Sequence, residues 1–144
     1  MKPTAIYLFR SEELEGLYKV GLSDAIARRK VQVRDHYQLG AVVEAEAWFP
    51  TRSAAYQAEH AWHQFLAPLR EDSARGREWF HLSDQLIQQF KRWADLSPSG
   101  LPLRFAVKSG RLTPFHAEQL TNKLLRGIPT NGRREVSKAT RLRG

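Results

Sequence analysis

Apolar positions along this chain change their period several times, and each change marks an element. Thr4–Arg10 and Gly16–Leu22 are short runs of aliphatic and aromatic residues, separated by the acidic turn Ser11–Glu15. Such a pair predicts a β-hairpin. Ser23-Asp24 then offers N-cap chemistry for a helix to about Gln38, whose apolar stripe is Ile26, Val33 and Tyr37. Ala41–Phe49 alternates with a period of two and predicts a third strand, with Glu44 and Glu46 on one face. Thr51 caps a second helix over Arg52–Leu66, with Ala54, Ala58, Ala61 and Phe65 as its core stripe. After the polar loop Arg70–Arg77 come a short strand, Glu78–Leu82, and a helix capped by Ser83 that runs to about Asp95.

Ser97–Pro102 breaks the periodicity and reads as the start of a linker. Thr113-Pro114 opens a further helix carrying Leu120, Leu124 and Leu125, which Gly127 ends, and Asn131-Gly132 marks a turn. The order of elements predicts an α+β fold, a small antiparallel or mixed sheet flanked by helices, with a basic C-terminal extension. The expected organisation is a domain over residues 1–96, a linker over 97–112 and an extension over 113–144 that is helical and in part disordered. No internal repeat is seen.

Charge sharpens this division. Residues 1–100 hold 13 Lys and Arg against 13 Asp and Glu, whereas residues 101–144 hold 10 against 2, so the whole net charge of +8 belongs to the last third. A basic appendage on a neutral domain predicts a polyanionic partner, because neutralising phosphates releases condensed counterions. Arg133, Arg134, Lys138, Arg141 and Arg143 are its candidate contacts, joined by Arg28, Lys30 and Arg34 of the first helix. The absence of cysteine excludes disulfides, thiolate zinc sites and cysteine nucleophiles, and agrees with an expected cytoplasmic location. No stretch is long and apolar enough to predict a membrane span, and the N-terminus shows no apolar leader.

The candidate chemistry is spread over four elements. Pairing Arg10 with Glu15 in the hairpin would set Tyr7 opposite Tyr18, on one sheet face. Two aromatics on a strand face otherwise fill a core. Arg29 follows Ile26 by three residues and precedes Val33 by four, so it borders the buried face of its helix, whereas Arg28 is matched by Asp24 one turn earlier. Glu59 lies between Ala55, Tyr56, Trp62 and His63, a mostly apolar setting in which a carboxylate is costly unless paired or bound to a cation. Glu44 and Glu46 read as solvent-facing. His60 and His63 share one helix at a zinc-ligand spacing but lack a third ligand.

Ala5-Ile6-Tyr7, Tyr18-Lys19-Val20-Gly21, Arg29, Glu59 and Gly76-Arg-Glu-Trp-Phe80, in that order, resemble the GIY-YIG nuclease superfamily. The Y-K-x-G form and the E-W-F-like ending are those of its phage-associated branches. The resemblance spans roughly residues 4–82. It implies a divalent-metal-dependent DNA endonuclease, a phosphodiester hydrolase with Glu59 holding Mg²⁺ or Mn²⁺. Arg29, Tyr7, Tyr18 and Lys19 would complete its catalytic set, and a homodimer is one way for a single-site enzyme to cut both strands. Alanine replaces the first glycine of the pattern, Val33 stands where some members carry a helper histidine, and no asparagine follows near Trp79. His36, His63 and Trp79 are the auxiliary candidates. These departures keep open a second reading, a non-catalytic nucleic-acid-binding protein with the same fold.

The chemistry constrains the roles. One carboxylate suits one octahedral cation that completes its shell with water and substrate oxygens. Arginine offers a permanently charged fork to the developing negative charge. A tyrosine, with an ordinary pKa of ~10, acts as a base only where a cation lowers it. Lys19 and Arg29 are the expected cations for Tyr7, and Tyr18 is expected to orient water or phosphate.

Overall fold

The structure, a computed structural model, describes residues 2–72, 76, 78–96, 110 and 112–130. Its elements are β1 (Thr4–Ser11), β2 (Leu17–Ser23), α1 (Ile26–Tyr37), β3 (Ala41–Phe49), α2 (Arg52–Leu66), a 3-10 turn (Ala67–Leu69), β4 (Trp79–His81), α3 (Asp84–Ala94) and α4 (Pro114–Arg126). The fold is α+β. The four strands form one sheet in the order β3-β1-β2-β4, antiparallel at every junction, with the four helices around it. The basic residues Arg133, Arg134, Lys138, Arg141 and Arg143, and nearly all of the expected linker, lie outside the described residues.

The hairpin register differs from the expected one by three residues. Tyr7 pairs with Gly21 and Arg10 pairs with Tyr18. The cause is the turn. Ser11 remains in β1, Gly16 leaves the strand with a φ of +81°, and Leu17 donates its N–H to the Leu14 carbonyl at 3.2 Å. An odd shift turns every side chain of one strand to the other face. Tyr7, Phe9, Lys19 and Gly21 therefore share one face, while Ile6, Leu8, Tyr18 and Val20 share the opposite one. A bulge between Leu8 and Phe9 leaves Glu44 as an extra residue in β3. Glu44 consequently parts from Glu46: it bonds Arg10 at 2.9 Å and Lys91 of α3 at 3.0 Å, whereas Glu46 pairs with Tyr7 across the sheet.

Two helix readings are also corrected. The N-cap of α1 is Ala25, without a side-chain cap bond, because Ser23 Oγ accepts from the Ala25 N–H and Asp24 is held by Lys2 and Arg28. In α2 the buried face is Ala55, Ala58, Glu59, Trp62 and Leu66, one position round from the alanine stripe. Burying the larger Trp62 and Leu66 removes more apolar surface from water than burying Ala61 and Phe65 alone would, and this sets the rotation. Trp62 is the hub of the helical layer, with ring centroids 4.8 Å from Phe90 and 5.4 Å from Trp93.

α4 packs on this layer. Ala117, Leu120 and Leu124 are buried, with Ile128 just beyond the helix, and Trp93 Nε1 donates to the Leu124 carbonyl at 2.5 Å. Leu124→Ala should lower stability by about 2–5 kcal/mol, the usual cost of truncating a buried leucine. Chemical denaturation followed by tryptophan fluorescence measures it, and an unchanged midpoint would show that α4 does not cover Trp93 in solution.

Candidate functional site

The site begins with the side chains that β1 and β2 present on one face. The Tyr7 ring stacks on Phe9 with centroids 3.9 Å apart. Lys19 Nζ donates to the Tyr7 hydroxyl oxygen at 2.8 Å and to the Glu78 carboxylate. The same ammonium lies 5.2 Å from the Tyr7 ring centroid and 5.9 Å from that of Tyr37. Lys19 is only 2% exposed, so its charge depends on these partners. Gly21 has a specific reason to be glycine. A Cβ there would come within 2.7 Å of Tyr7 Cζ and 3.2 Å of Lys19 Nζ, because the phenol lies directly over the backbone.

α1 contributes Arg29. It is half-buried, and its Nε is buried with no hydrogen-bond partner among the described residues. Arg28, next to it, is exposed and paired with Asp24 at 3.5 Å. The helix thus separates the adjacent arginines as their spacing predicts. α2 contributes Glu59, which is 9% exposed. Burial, then the charge of Glu78, push its carboxyl up to about 7, while Lys19, Arg52 and Arg29 oppose the shift. Glu59 and Tyr7 both feel Lys19, Glu78 and Arg29, and this places the four elements around one locus.

Protonation at this locus differs from the expectation for Tyr7. Burial raises its hydroxyl above the usual range. Lys19 and Arg29 pull the other way, as expected, but do not outweigh it. Lys19 is pulled down by burial, yet Tyr7 and Glu78 more than compensate and hold it as an ammonium. Tyr18 is corrected outright. It lies on the opposite sheet face, where burial, then Glu44, raise its hydroxyl, and Arg10, Asp84 and Lys91 are the other charges acting on it. The expected register sets it opposite Tyr7, and the observed one does not.

The auxiliary candidates divide similarly. His63 Nε2 donates to the Val20 carbonyl at 2.7 Å, which assigns the ring proton to that nitrogen, and burial lowers the pKa of the ring. It lies 4.0 Å from Glu59 and ties α2 to β2. Trp79 is fully buried and forms an edge contact with Tyr37 at 5.4 Å. His36 is exposed on the outer side of that ring. His60 stacks on exposed Tyr56 while His63 turns inward, so the two do not share a ligand sphere. Among the described residues no group of three or more His, Cys, Asp or Glu could hold a metal ion.

Glu78 is the candidate that sequence reasoning missed. Its signal was present in Gly76–Phe80, but nothing in the sequence pairs that glutamate with Lys19; the β2–β4 register does, by setting Lys19 against Trp79. On the outer side of α1, Lys30 and Arg34 line a groove of about 310 Å³ that also contains Glu12 and Gly40. Arg28 lies on the same helix, exposed.

Glu59 is a single buried carboxylate whose ionised form is disfavoured in its own surroundings, so a hard divalent cation held there would have to complete its shell with water and substrate oxygens. Arg29, whose charge also acts on Glu59, carries a buried N–H with no partner among the described residues. In comparison with known proteins, the model of the T5orf172 domain family matches residues 4–96. No curated protein and no solved structure shows a significant match. Among the described residues no helix is long and apolar enough to cross a membrane.

Two outcomes are expected. Gly21→Ala should push Tyr7 away from Lys19 and destabilise the fold by about 1–3 kcal/mol, the usual range for overpacking. Denaturant unfolding measures this, and a neutral result would mean the phenol does not occupy the space above Gly21. The second concerns pH. Glu59 binds its proton more tightly folded (about 7) than at its usual 4.5. Its contribution to stability is therefore fully present below 4.5 and lost as pH rises through about 7. Without divalent cations the melting temperature should fall over that window. Glu59→Gln should flatten the fall, and Mn²⁺ at pH 8 should raise the melting temperature of the wild type only. The same decline in Glu59→Gln would assign the effect to another group.

Proposed function

This chain belongs to the T5orf172 domain family, and from that membership and the grouping of Tyr7, Lys19, Arg29 and Glu59 we propose a divalent-metal-dependent DNA endonuclease of the GIY-YIG type. The observation that carries the reading is Glu59, a carboxylate only 9% exposed on the buried face of α2, whose charge interacts with that of Arg29, itself with a buried Nε that has no partner among the described residues. A carboxylate in that setting is costly unless it is paired or bound to a cation. The family, which is phage-associated, and the ordered motifs of the chain support the same reading.

Each residue then has a role set by its surroundings. Arg29 meets the phosphate with a planar fork of N–H donors and stabilises the negative charge that builds during cleavage. Glu59 holds Mg²⁺ or Mn²⁺, which when bound supplies Lewis-acid neutralisation of the phosphate. Tyr7 would first lose its own hydroxyl proton to solvent, and its phenolate would then accept the proton of the attacking water and return to the neutral phenol. Lys19, already bonded to that oxygen, favours the phenolate that has to form first. Tyr18 takes no part. The basic outer face of α1 and the excess charge of the last third attract the DNA backbone.

One observation favours the non-catalytic alternative. Burial leaves the Tyr7 hydroxyl a weaker acid than an ordinary phenol, so the unliganded site is poorly prepared to lose that proton. Cleavage of plasmid, single-stranded and junction DNA with Mg²⁺ or Mn²⁺ distinguishes the two readings. Arg29→Ala and Glu59→Ala should each lower the rate by ~10²–10³. Arg28→Ala and Tyr18→Phe should stay near wild type. DNA binding without cleavage by any metal-loaded sample would establish the non-catalytic reading, and an inactive Arg28→Ala beside an active Arg29→Ala would overturn the site.

A further inference from the structure

Lys19 is a buried ammonium with two polar partners. One is the Tyr7 hydroxyl, and the other is Glu78, which has no place in the roles above. Glu78 is itself anchored. Its carbonyl accepts the Val20 N–H at 3.0 Å, so the residue is fixed to β2 immediately before β4 begins. The strand after it is pinned on its outer side as well, where Glu71 donates its N–H to the Trp79 carbonyl at 2.8 Å and Arg70 lies over the Phe80 ring at 5.4 Å. The Lys19 side chain is 3% exposed against 38% for Glu78. The carboxylate therefore reaches inward from the rim to meet a charge that solvent does not reach.

We infer that Glu78 is a positioning residue of the site, whose carboxylate holds the Lys19 ammonium on the Tyr7 hydroxyl. A lysine on a flexible four-carbon stem has many rotamers, and a neutral phenol alone is a weak reason to keep its charge buried. The Glu78 carboxylate supplies the opposite charge, and Tyr37, with its ring beside the same ammonium, closes the remaining side. With Lys19 so fixed, its bond to the Tyr7 oxygen is in place before any substrate arrives. The stacked Phe9 ring holds the phenol from behind. Glu78 acts through Lys19 and touches neither the reacting phosphorus nor the attacking water. This inference rests on the nuclease reading for its catalytic consequence but not for its geometry.

The test is a double-mutant cycle with a second readout independent of cleavage. Glu78→Gln should lower kcat tenfold or more and leave KM for DNA unchanged, within the ~10²–10⁴ that a positioned proton transfer is worth. Glu78→Asp should recover part of the loss. In a Lys19→Met background the same Glu78→Gln change should cost nothing further, because residues acting as one unit are not additive. Additive losses would overturn the inference by giving Glu78 a function of its own. The second readout is acylation of Lys19 by a small amine-reactive ester, mapped by mass spectrometry. Lys19 should be protected in the wild type and should react several-fold faster in folded Glu78→Gln with an unchanged melting temperature. Equal protection in the two proteins would overturn the inference even if the enzyme is active. Protection of Lys19 in the wild type and its loss in Glu78→Gln, in a protein that cuts no DNA with any metal, would sustain the inference while the nuclease reading fails.

Discussion

The site depends on one buried charge. A lysine that is nearly inaccessible cannot remain an ammonium unless its surroundings supply a carboxylate and an oxygen, and here they come from different strands. Tyr7 is on β1, Lys19 on β2, and Glu78 at the start of β4. A slip of one residue in either pairing would leave the ammonium on the wrong face or without its partner, at a cost of several kcal/mol for an unpaired buried ion. Lys19 is thus a register lock for half of the sheet as well as part of the candidate chemistry. Gly21 serves the same arrangement from below, since any side chain there would displace the phenol.

The opposite sheet face and the helices make this lock affordable in structural terms. Ile6, Leu8 and Val20 are fully buried, and Trp62, Phe90 and Trp93 form a contiguous aromatic cluster between α2 and α3. Packing Trp62 into that cluster fixes the rotation of α2, and Glu59, three residues earlier on the same face, is buried as a consequence. The strong hydrophobic contact and the costly carboxylate are therefore linked. A helix that buries Trp62 there cannot expose Glu59, so the carboxylate keeps its raised proton affinity unless a cation arrives.

The fold was readable from the sequence because its elements carry clear signals. The alternation in β3 and the Thr51, Ser83 and Thr113 caps predict helix and strand limits within a residue or two of those observed. The separation of Arg28 from Arg29 was also readable, since it follows from helical geometry and the position of Asp24. The face of Tyr18 was not. Register in a hairpin depends on where the turn closes, and the acidic segment Ser11–Gly16 holds no two-residue turn signature to fix it. The bulge at Glu44 was hidden for the same reason, because an inserted residue leaves the period-two pattern of the sequence unbroken. Glu78 was beyond reach, as its role arises only from a pairing between strands about 60 residues apart, a long-range contact with no local code.

Charge balance explains why the proposed chemistry takes a divalent cation. With Glu59 ionised, it and Glu78 formally cancel Lys19 and Arg29, and the locus carries no net charge. A phosphodiester entering it adds one negative charge, and attack by hydroxide adds another that is shared over the phosphate oxygens as the barrier is climbed. Lys19 is already committed to Tyr7 and Glu78, which leaves Arg29 as the cation of the locus with a buried N–H free among the described residues. One arginine cannot offset two charges in a partly buried site, where the effective dielectric is well below that of water. A dication on Glu59 would bring the locus back to neutrality at the point of greatest charge. Electrostatic stabilisation of that kind favours the transition state over the bound substrate, and only such a difference accelerates a reaction.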